Sequence, residues 1–244
     1  MYCSSASSKE QIVLYQHADS RGNEVPSDFL RDFQGYLHCD GWRAYELLEN
    51  TKVVNCLAHV RRKFKDGIPA DDKNPNLPSR IGFEFCNLLF KTDKIFQTLS
   101  VEERKVARQT ELKPIFDKFY AWIESVNILP KSKFARAVEY AARHKKGCMR
   151  VLEDGRLELS NNLADRMIKE LVMGRKNWLF STSFEGARTS GVILSIMKTA
   201  ELNQLNVRKY FEFLFDEIPN LPVLTQEAIE VYLPWSELVK ERCY

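Results

Sequence analysis

The sequence predicts an α/β fold with a helical insertion and a helical C-terminal part. Short segments rich in β-branched and aromatic residues are confined to the first 56 residues, whereas from Arg80 onward the apolar residues recur at the helical period of about 3.6. Strand and helix segments alternate around Asp40, which is the order expected of an α/β core. An apolar fraction of 44% in 244 residues is enough to form a packed interior.

The first strand is predicted at residues 11–15, which are mostly apolar and include a valine, an isoleucine and a tyrosine. Residues 19–23 follow as a turn, since they contain Asp, Ser, Gly and Asn. A short helix is expected at residues 25–33, where Pro26 suits a first helical turn. The next predicted elements are a strand at 36–40, a helix at 42–48 and a strand at 52–56.

The remaining chain is predicted to be helical and to be interrupted at two places. Residues 66–79 hold one glycine and three prolines and form the first junction, and a second break lies at 127–132. The amphipathic helices expected after the second break are 134–143, 163–173 and 192–202. Residues 219–235 are punctuated by proline and are expected to wrap the surface as a tail.

An RNase H-like fold fits this order of elements. The predicted organisation has four segments. They are a partial RNase H-like sheet region at 1–66, a helical insertion at 67–150, closing helices of the core at 151–218 and a C-terminal tail at 219–244.

Composition and charge restrict the cellular location and the partners. The 36 basic and 33 acidic residues give a net charge of +3, which is only a mild bias toward polyanions. Neither an export leader nor a run of about 18 apolar residues is found, so a cytoplasmic protein without membrane contact is expected. Six scattered cysteines indicate reduced thiols. Cys56 and His59 form a Cys-x-x-His pair without a second pair of ligands nearby. Structural zinc needs four ligands, so we do not expect a zinc site at this pair.

Four ordered motifs carry a family resemblance. Residues 35–45 read GYLHCDGWRAY, residues 56–64 read CLAHVRRKF, residues 161–166 read NNLADR and residues 174–180 read GRKNWLF. In this order the motifs resemble the catalytic domain of insertion-sequence-66-type transposases, members of the DDE (Asp-Asp-Glu) superfamily. The resemblance extends from about Gln11 to Trp235 and implies the RNase H-like fold and DNA transposition.

The resemblance implies that Asp40 and Asp165 are catalytic residues and metal ligands. Two divalent cations, Mg²⁺ or Mn²⁺, would activate the attacking oxygen and stabilise the leaving oxygen in strand cleavage and transfer. The alternative for Asp40 is a simple turn with Gly41. The alternative for Asp165 is an acid that complements the dipole of a helix N-terminus. Asp165 also stands where the family pattern has glutamate, which shortens the side chain by one methylene group.

A further departure concerns the first catalytic aspartate, which the family carries in a strand upstream of the one at 11–15. The resemblance therefore implies an incomplete RNase H-like fold whose first strand is missing. The absence of this aspartate predicts a truncated transposase with impaired activity. The alternative is a catalytically inactive remnant that binds DNA or associates with a full-length transposase. A third possibility is an RNase H-like nuclease that cleaves DNA outside transposition.

Basic residues within the family motifs are predicted to bind DNA, in the form of transposon ends and target DNA. Trp178 could stack on an unpaired base or belong to the core, and His59 could lie at the rim of the active site or be structural. The chain could also associate with another copy of itself or with a full-length transposase. Each charge cluster could instead be a solvated helix face, as we expect for the basic residues at 143–150. The predicted DNA-binding residues are His59, Arg61, Arg62, Lys63, Arg166, Arg175, Lys176 and Trp178.

Overall fold

The computed structural model describes residues 1–20, 22–178 and 181–244, without the side chain of Trp178. The chain divides into two compact units. The discontinuous unit consists of residues 1–19 and 163–244, and the central unit consists of residues 20–162.

Four short strands and twelve α-helices are present among the described residues. The strands are β1 Tyr2–Cys3, β2 Val13–Leu14, β3 Gly35–Cys39 and β4 Thr51–Asn55. The helices before residue 130 are α1 Glu24–Phe29, α2 Leu57–Asp66, α3 Pro78–Ile95, α4 Val101–Ala107 and α5 Lys113–Ser125. The later helices are α6 Lys133–Arg143, α7 Lys145–Met149, α8 Asn162–Trp178, α9 Phe184–Leu202, α10 Val207–Glu217, α11 Gln226–Glu230 and α12 Glu237–Cys243.

In the central unit, β3 and β4 form a parallel pair in which Gly35 lies opposite Thr51 and Cys39 opposite Asn55. β4 has the sequence TKVVN and is buried over its last three residues, as expected of a β-branched segment that is covered by helices. α2 begins almost directly after β4, and its Val60 and Phe64 are fully buried in the same core. The short parallel pair is therefore packed into a mainly helical unit.

The helices of the central unit begin at recognisable signals and enclose an unusual buried ion pair. Ser100 and Glu103 form a capping box at the start of α4, and the side chain of Ser132 caps α6. Arg108 is fully buried, and its guanidinium group binds the carboxylate of Asp93 with an Nε–Oδ1 distance of 2.7 Å. The same group donates to carbonyl oxygens of residues 151, 154 and 155, so the ion pair joins α3 to the segment after α7.

In the discontinuous unit, β1 and β2 pair in antiparallel orientation and β2 packs on α9. The backbone N–H of Val13 donates to Oγ1 of Thr199 at 3.0 Å, and that of Tyr15 donates to Oγ of Ser195 at 2.8 Å. Side chains from α9, α10 and α12 form a separate small core around Tyr210. Two stretches far apart in the chain thus form one unit.

The order of elements confirms the predicted α/β class, and the strands at 36–40 and 52–56 agree with β3 and β4 to within one residue. The strand expected at 11–15 is reduced to Val13–Leu14 because hydroxyl groups of α9 take the place of further strand partners. The described strands form two separate two-stranded sheets, so the RNase H-like sheet and the four-segment division stay predictions. No helix among the described residues is both long and apolar enough to cross a membrane.

Candidate functional site

Asp40 follows the last residue of β3, and its local conformation comes from the residues beside it. Gly41 has a φ of +87°, a left-handed conformation that glycine adopts without the strain of a side chain. The backbone N–H of Trp42 donates to Oδ1 of Asp40 at 3.1 Å, which closes a turn of the kind that Asp favours. The carboxylate is exposed. Both interpretations of Asp40, a turn former and an acid available to a cation, are therefore compatible with one geometry.

The turn at Asp40 is held from the other side by α6, which the sequence patterns did not associate with it. The hydroxyl of Tyr140 donates to the backbone carbonyl oxygen of Asp40 at 2.6 Å. The ring of His144 packs on that of Tyr140 with a centroid separation of 4.4 Å, and the imidazole is buried. A Cβ atom on Gly41 would lie 2.8 Å from Cε1 and Nε2 of His144, so any other residue here would require the imidazole or the turn to shift.

The electrostatic environment of His144 includes two carboxylates. Burial lowers the pKa of His144, and the nearby carboxylates of Glu46 and Asp40 oppose that effect. Oε1 of Glu46 lies 3.8 Å from Nδ1 of His144. The 3₁₀ helix Arg43–Leu47 carries Glu46 and follows Asp40 directly. A polar cluster of Asp40, Glu46, Tyr140 and His144 thus surrounds the end of β3, although sequence reasoning predicted only Asp40.

The first predicted DNA-binding group lies on α2, and its members differ in exposure. Nε of Arg61 donates to Oδ1 of Asn87 at 2.6 Å, and the guanidinium group lies 4.7 Å from the ring centre of Phe83. Arg62 and Lys63 are exposed. His59 is half-buried, and its Nδ1 atom has no hydrogen-bond partner among the described residues. Arg62 and Lys63 are therefore the most exposed cations among the four predicted DNA-binding residues of this motif.

Asp165 lies in the first turn of α8, in the discontinuous unit, and is half-buried. The helix is anchored to its surroundings by Tyr15, whose hydroxyl donates to the carbonyl oxygen of Met167 at 2.8 Å. Of the apolar residues near Asp165 on this helix, Met167 is buried, whereas Ile168 is 37% exposed. Successive residues are separated by about 100° around a helix, so Ile168 lies to one side of the buried Met167. Convergence of Asp165 with Asp40 stays a prediction.

The second predicted DNA-binding group lies on α8. Arg166, Arg175 and Lys176 are exposed along this helix. Trp178 is its last residue, and its side chain lies outside the described part of the structure, so stacking on a base stays a prediction. Of the basic residues at 143–150, Lys145 pairs with Glu124 at 2.8 Å and Arg150 donates to the carbonyl oxygen of Val53 at 2.6 Å. These two contacts favour the structural interpretation of that cluster.

The donor chemistry of Asp40 and Asp165 suits a hard divalent cation. Mg²⁺ prefers carboxylate oxygens and keeps several water ligands, so one or two acidic side chains are sufficient. Groups of three or more His, Cys, Asp or Glu side chains suited to a metal do not occur within residues 1–20, 22–178 and 181–244. Asp40 fits as a ligand because its carboxylate is exposed and the turn around it is fixed by two hydrogen bonds.

Comparison with known proteins gives the family of the chain. Uncharacterized protein y4hP of Sinorhizobium fredii (strain NBRC 101917 / NGR234) is 29% identical over 243 residues, covering 92% of this chain and 43% of that protein. Uncharacterized proteins y4jD and y4qI of the same strain are each 27% identical, covering 92% of this chain and 45% and 43% of their own lengths. The chain thus spans less than half the length of these relatives. No solved structure gives a significant match. The sequence model of the Transposase IS66 family matches residues 1–189, and the chain belongs to that family.

Proposed function

We propose that this chain acts in DNA transposition as a DDE-type transposase domain that carries out metal-dependent strand cleavage and transfer. The observation that supports this proposal most directly is the exposed carboxylate of Asp40 at the end of β3, held by the N–H of Trp42 and the hydroxyl of Tyr140. A fixed carboxylate at a strand end is what a metal-dependent phosphodiester reaction requires, and the family is one of transposases.

Asp40 and Asp165 are each proposed as ligands of a divalent cation, Mg²⁺ or Mn²⁺. When bound, such a cation activates the attacking oxygen and stabilises the leaving oxygen of the phosphodiester. The residues themselves supply negative charge, and Asp40 does so from a turn whose backbone needs no rearrangement. The first turn of α8 favours an acidic side chain at Asp165 for the independent reason of the helix dipole.

DNA binding is proposed to depend most on Arg62 and Lys63, with Arg166, Arg175 and Lys176 as the second group. Exposed cations present their charge to a phosphate without first having to be uncovered, and phosphate contacts supply most non-specific affinity. Arg61 is a weaker candidate because Asn87 and Phe83 already engage its guanidinium group. His59 and Trp178 are also proposed to contact DNA, His59 at the rim of the active site and Trp178 by stacking on an unpaired base.

Low activity is expected because Asp165 stands where the resemblance implies glutamate. The carboxylate reaches one methylene less far from the helix, and metal sites lose function when ligands are displaced by less than an ångström. Asp165→Glu should therefore raise cleavage, whereas Asp165→Asn should abolish it. If Asp165→Glu had no effect and Asp165→Asn kept full activity, Asp165 would not be a metal ligand.

The test is a cleavage and strand-transfer assay of the 244-residue chain on transposon-end DNA with Mg²⁺ or Mn²⁺. Activity that disappears in Asp40→Asn and persists in Asp71→Asn would support the proposal. Asp71 is the matched control because it is an exposed acid of the loop between α2 and α3. Activity that Asp40→Asn leaves unchanged would refute the role of Asp40. Cleavage without preference for end sequences would favour a nuclease outside transposition.

A second candidate is a DNA-binding or transposase-interacting protein without cleavage activity. The replacement of the expected glutamate by Asp165 favours it, together with the exposed basic residues of α2 and α8, which need no metal to bind phosphate. DNA binding measured by fluorescence anisotropy, with no metal-dependent product for the wild type or Asp165→Glu, would favour this candidate over the first. Absence of DNA binding would refute the first candidate and the DNA-binding form of the second.

A further inference from the structure

We infer that Tyr140 is a positioning residue for Asp40, and that the C-terminal part of α6 holds the metal-binding turn in place. This inference rests on the proposed metal-binding role of Asp40 and adds a second element to that site. The hydroxyl of Tyr140 donates to the carbonyl oxygen of Asp40 at 2.6 Å, across 100 residues of chain. The hydrogen bond fixes the backbone of the acid without using its carboxylate, of which Oδ1 accepts from the N–H of Trp42.

Tyr140 is itself fixed by its neighbours. Its ring packs on the buried imidazole of His144, and the ammonium group of Lys63 lies 5.8 Å from the ring centre. The donor therefore has little freedom to leave the carbonyl oxygen of Asp40.

His144 completes the support by packing against the backbone rather than by ligating a cation. Its ring lies so close to Gly41 that a side chain there would force the ring or the turn to shift. The turn is thereby confined between the N–H of Trp42, the hydroxyl of Tyr140 and the face of His144. Such confinement reduces the loss of freedom that cation binding would otherwise require, which is the physical basis of preorganisation.

Tyr140 also connects the metal-binding turn to the predicted DNA-binding surface. Lys63 is an exposed cation of α2, and its ammonium group lies above the same ring whose hydroxyl holds Asp40. Tyr140 would therefore contact both Lys63, which is proposed to bind a phosphate, and Asp40, which is proposed to bind the cation. The sequence motifs contain Asp40 and Lys63 but not Tyr140, which lies far downstream.

The test uses Tb³⁺, an oxygen-binding cation whose emission is sensitised by tryptophan, with Trp42 as a donor next to the turn at Asp40. Tyr140→Phe keeps the ring and removes only the donor, so the affinity for Tb³⁺ should fall about two- to tenfold, the range expected for one hydrogen bond. Amide hydrogen exchange at residues 40–42 should become faster. The matched control is Tyr36→Phe, since the hydroxyl of Tyr36 donates to Glu153 at 2.9 Å outside this cluster.

The outcomes separate the inference from the proposed function. Loss of saturable Tb³⁺ emission in Asp40→Asn, with weakened binding in Tyr140→Phe and unchanged binding in Tyr36→Phe, would support both. The emission could instead be lost in Asp40→Asn while Tyr140→Phe keeps the Tb³⁺ affinity and the amide hydrogen exchange of the wild type. That result would overturn the positioning role of Tyr140 alone. Wild-type Tb³⁺ affinity in Asp40→Asn would overturn the metal site and with it the role of Tyr140 there. Loss of the Tb³⁺ emission in Trp42→Phe would confirm that Trp42 is the donor.

Discussion

The fit between Gly41 and α6 predicts that Gly41→Ala destabilises the protein strongly. A left-handed conformation costs alanine about 1–2 kcal/mol relative to glycine. The new Cβ would also lie 2.8 Å from two atoms of His144 and 3.0 Å from the hydroxyl oxygen of Tyr140. Overpacking of this kind costs about 1–3 kcal/mol, so the free energy of unfolding should fall by about 2–5 kcal/mol in total.

Thermal and urea unfolding of Gly41→Ala would measure this loss. For a protein of this size each kcal/mol lowers Tm by about 2–4 °C, so a fall of at least about 4 °C is expected. A double-mutant cycle with His144→Ala separates the two contributions, because removing the imidazole relieves the steric term and leaves the backbone term.

The cycle also defines the result that would refute this reasoning. Strict additivity of Gly41→Ala and His144→Ala would show that the imidazole does not exclude a side chain at position 41. A Tm of Gly41→Ala equal to that of the wild type would show that neither the left-handed conformation nor the packing is as the structure has it.

Three further predictions concern charge. Asp93→Ala should lower the free energy of unfolding by about 3–5 kcal/mol, because it leaves the buried Arg108 unpaired. The control is Asp28→Ala, which removes an exposed ion pair with Arg31 and should cost under about 1 kcal/mol. Equal losses of the two variants in urea unfolding would contradict this prediction. Arg62→Ala with Lys63→Ala should reduce the slope of log K for DNA against log salt by about 1.8, at about 0.9 per phosphate contact, whereas Lys133→Ala with Arg136→Ala on α6 should leave it unchanged. Burial lowers the pKa of His38 to about 4, so the unfolded chain takes up a proton near pH 6.5 that the folded protein takes up only near pH 4. As the pH is lowered from about 6.5 to about 4, the free energy of unfolding of the wild type should therefore fall by roughly 3 kcal/mol more than that of His38→Gln. Parallel plots of the two free energies against pH would argue against this prediction.

Much of the local structure could be predicted because it depends on neighbours in the sequence. β3 and β4 were predicted to within one residue since β-branched and aromatic residues are bounded there by turn formers. α6 was predicted from residue 134 and begins at Lys133, after the cap at Ser132. α9 was predicted to begin at residue 192 but begins at Phe184, because its first turns have no apolar stripe and depend on the cap at Ser183.

The sequence by itself determined the family motifs, the acid at the end of β3 and the basic character of α2. The tertiary structure decided which side chains are available and which support the site. Arg61 and Arg62 are adjacent and identical in type, yet they differ in the folded protein. The guanidinium group of Arg61 contacts Asn87 and Phe83 of α3, whereas Arg62 is exposed. Tyr140 reaches Asp40 across 100 residues of chain. Local patterns record periodicity and turn chemistry, whereas contacts between distant segments exist only once the chain has packed.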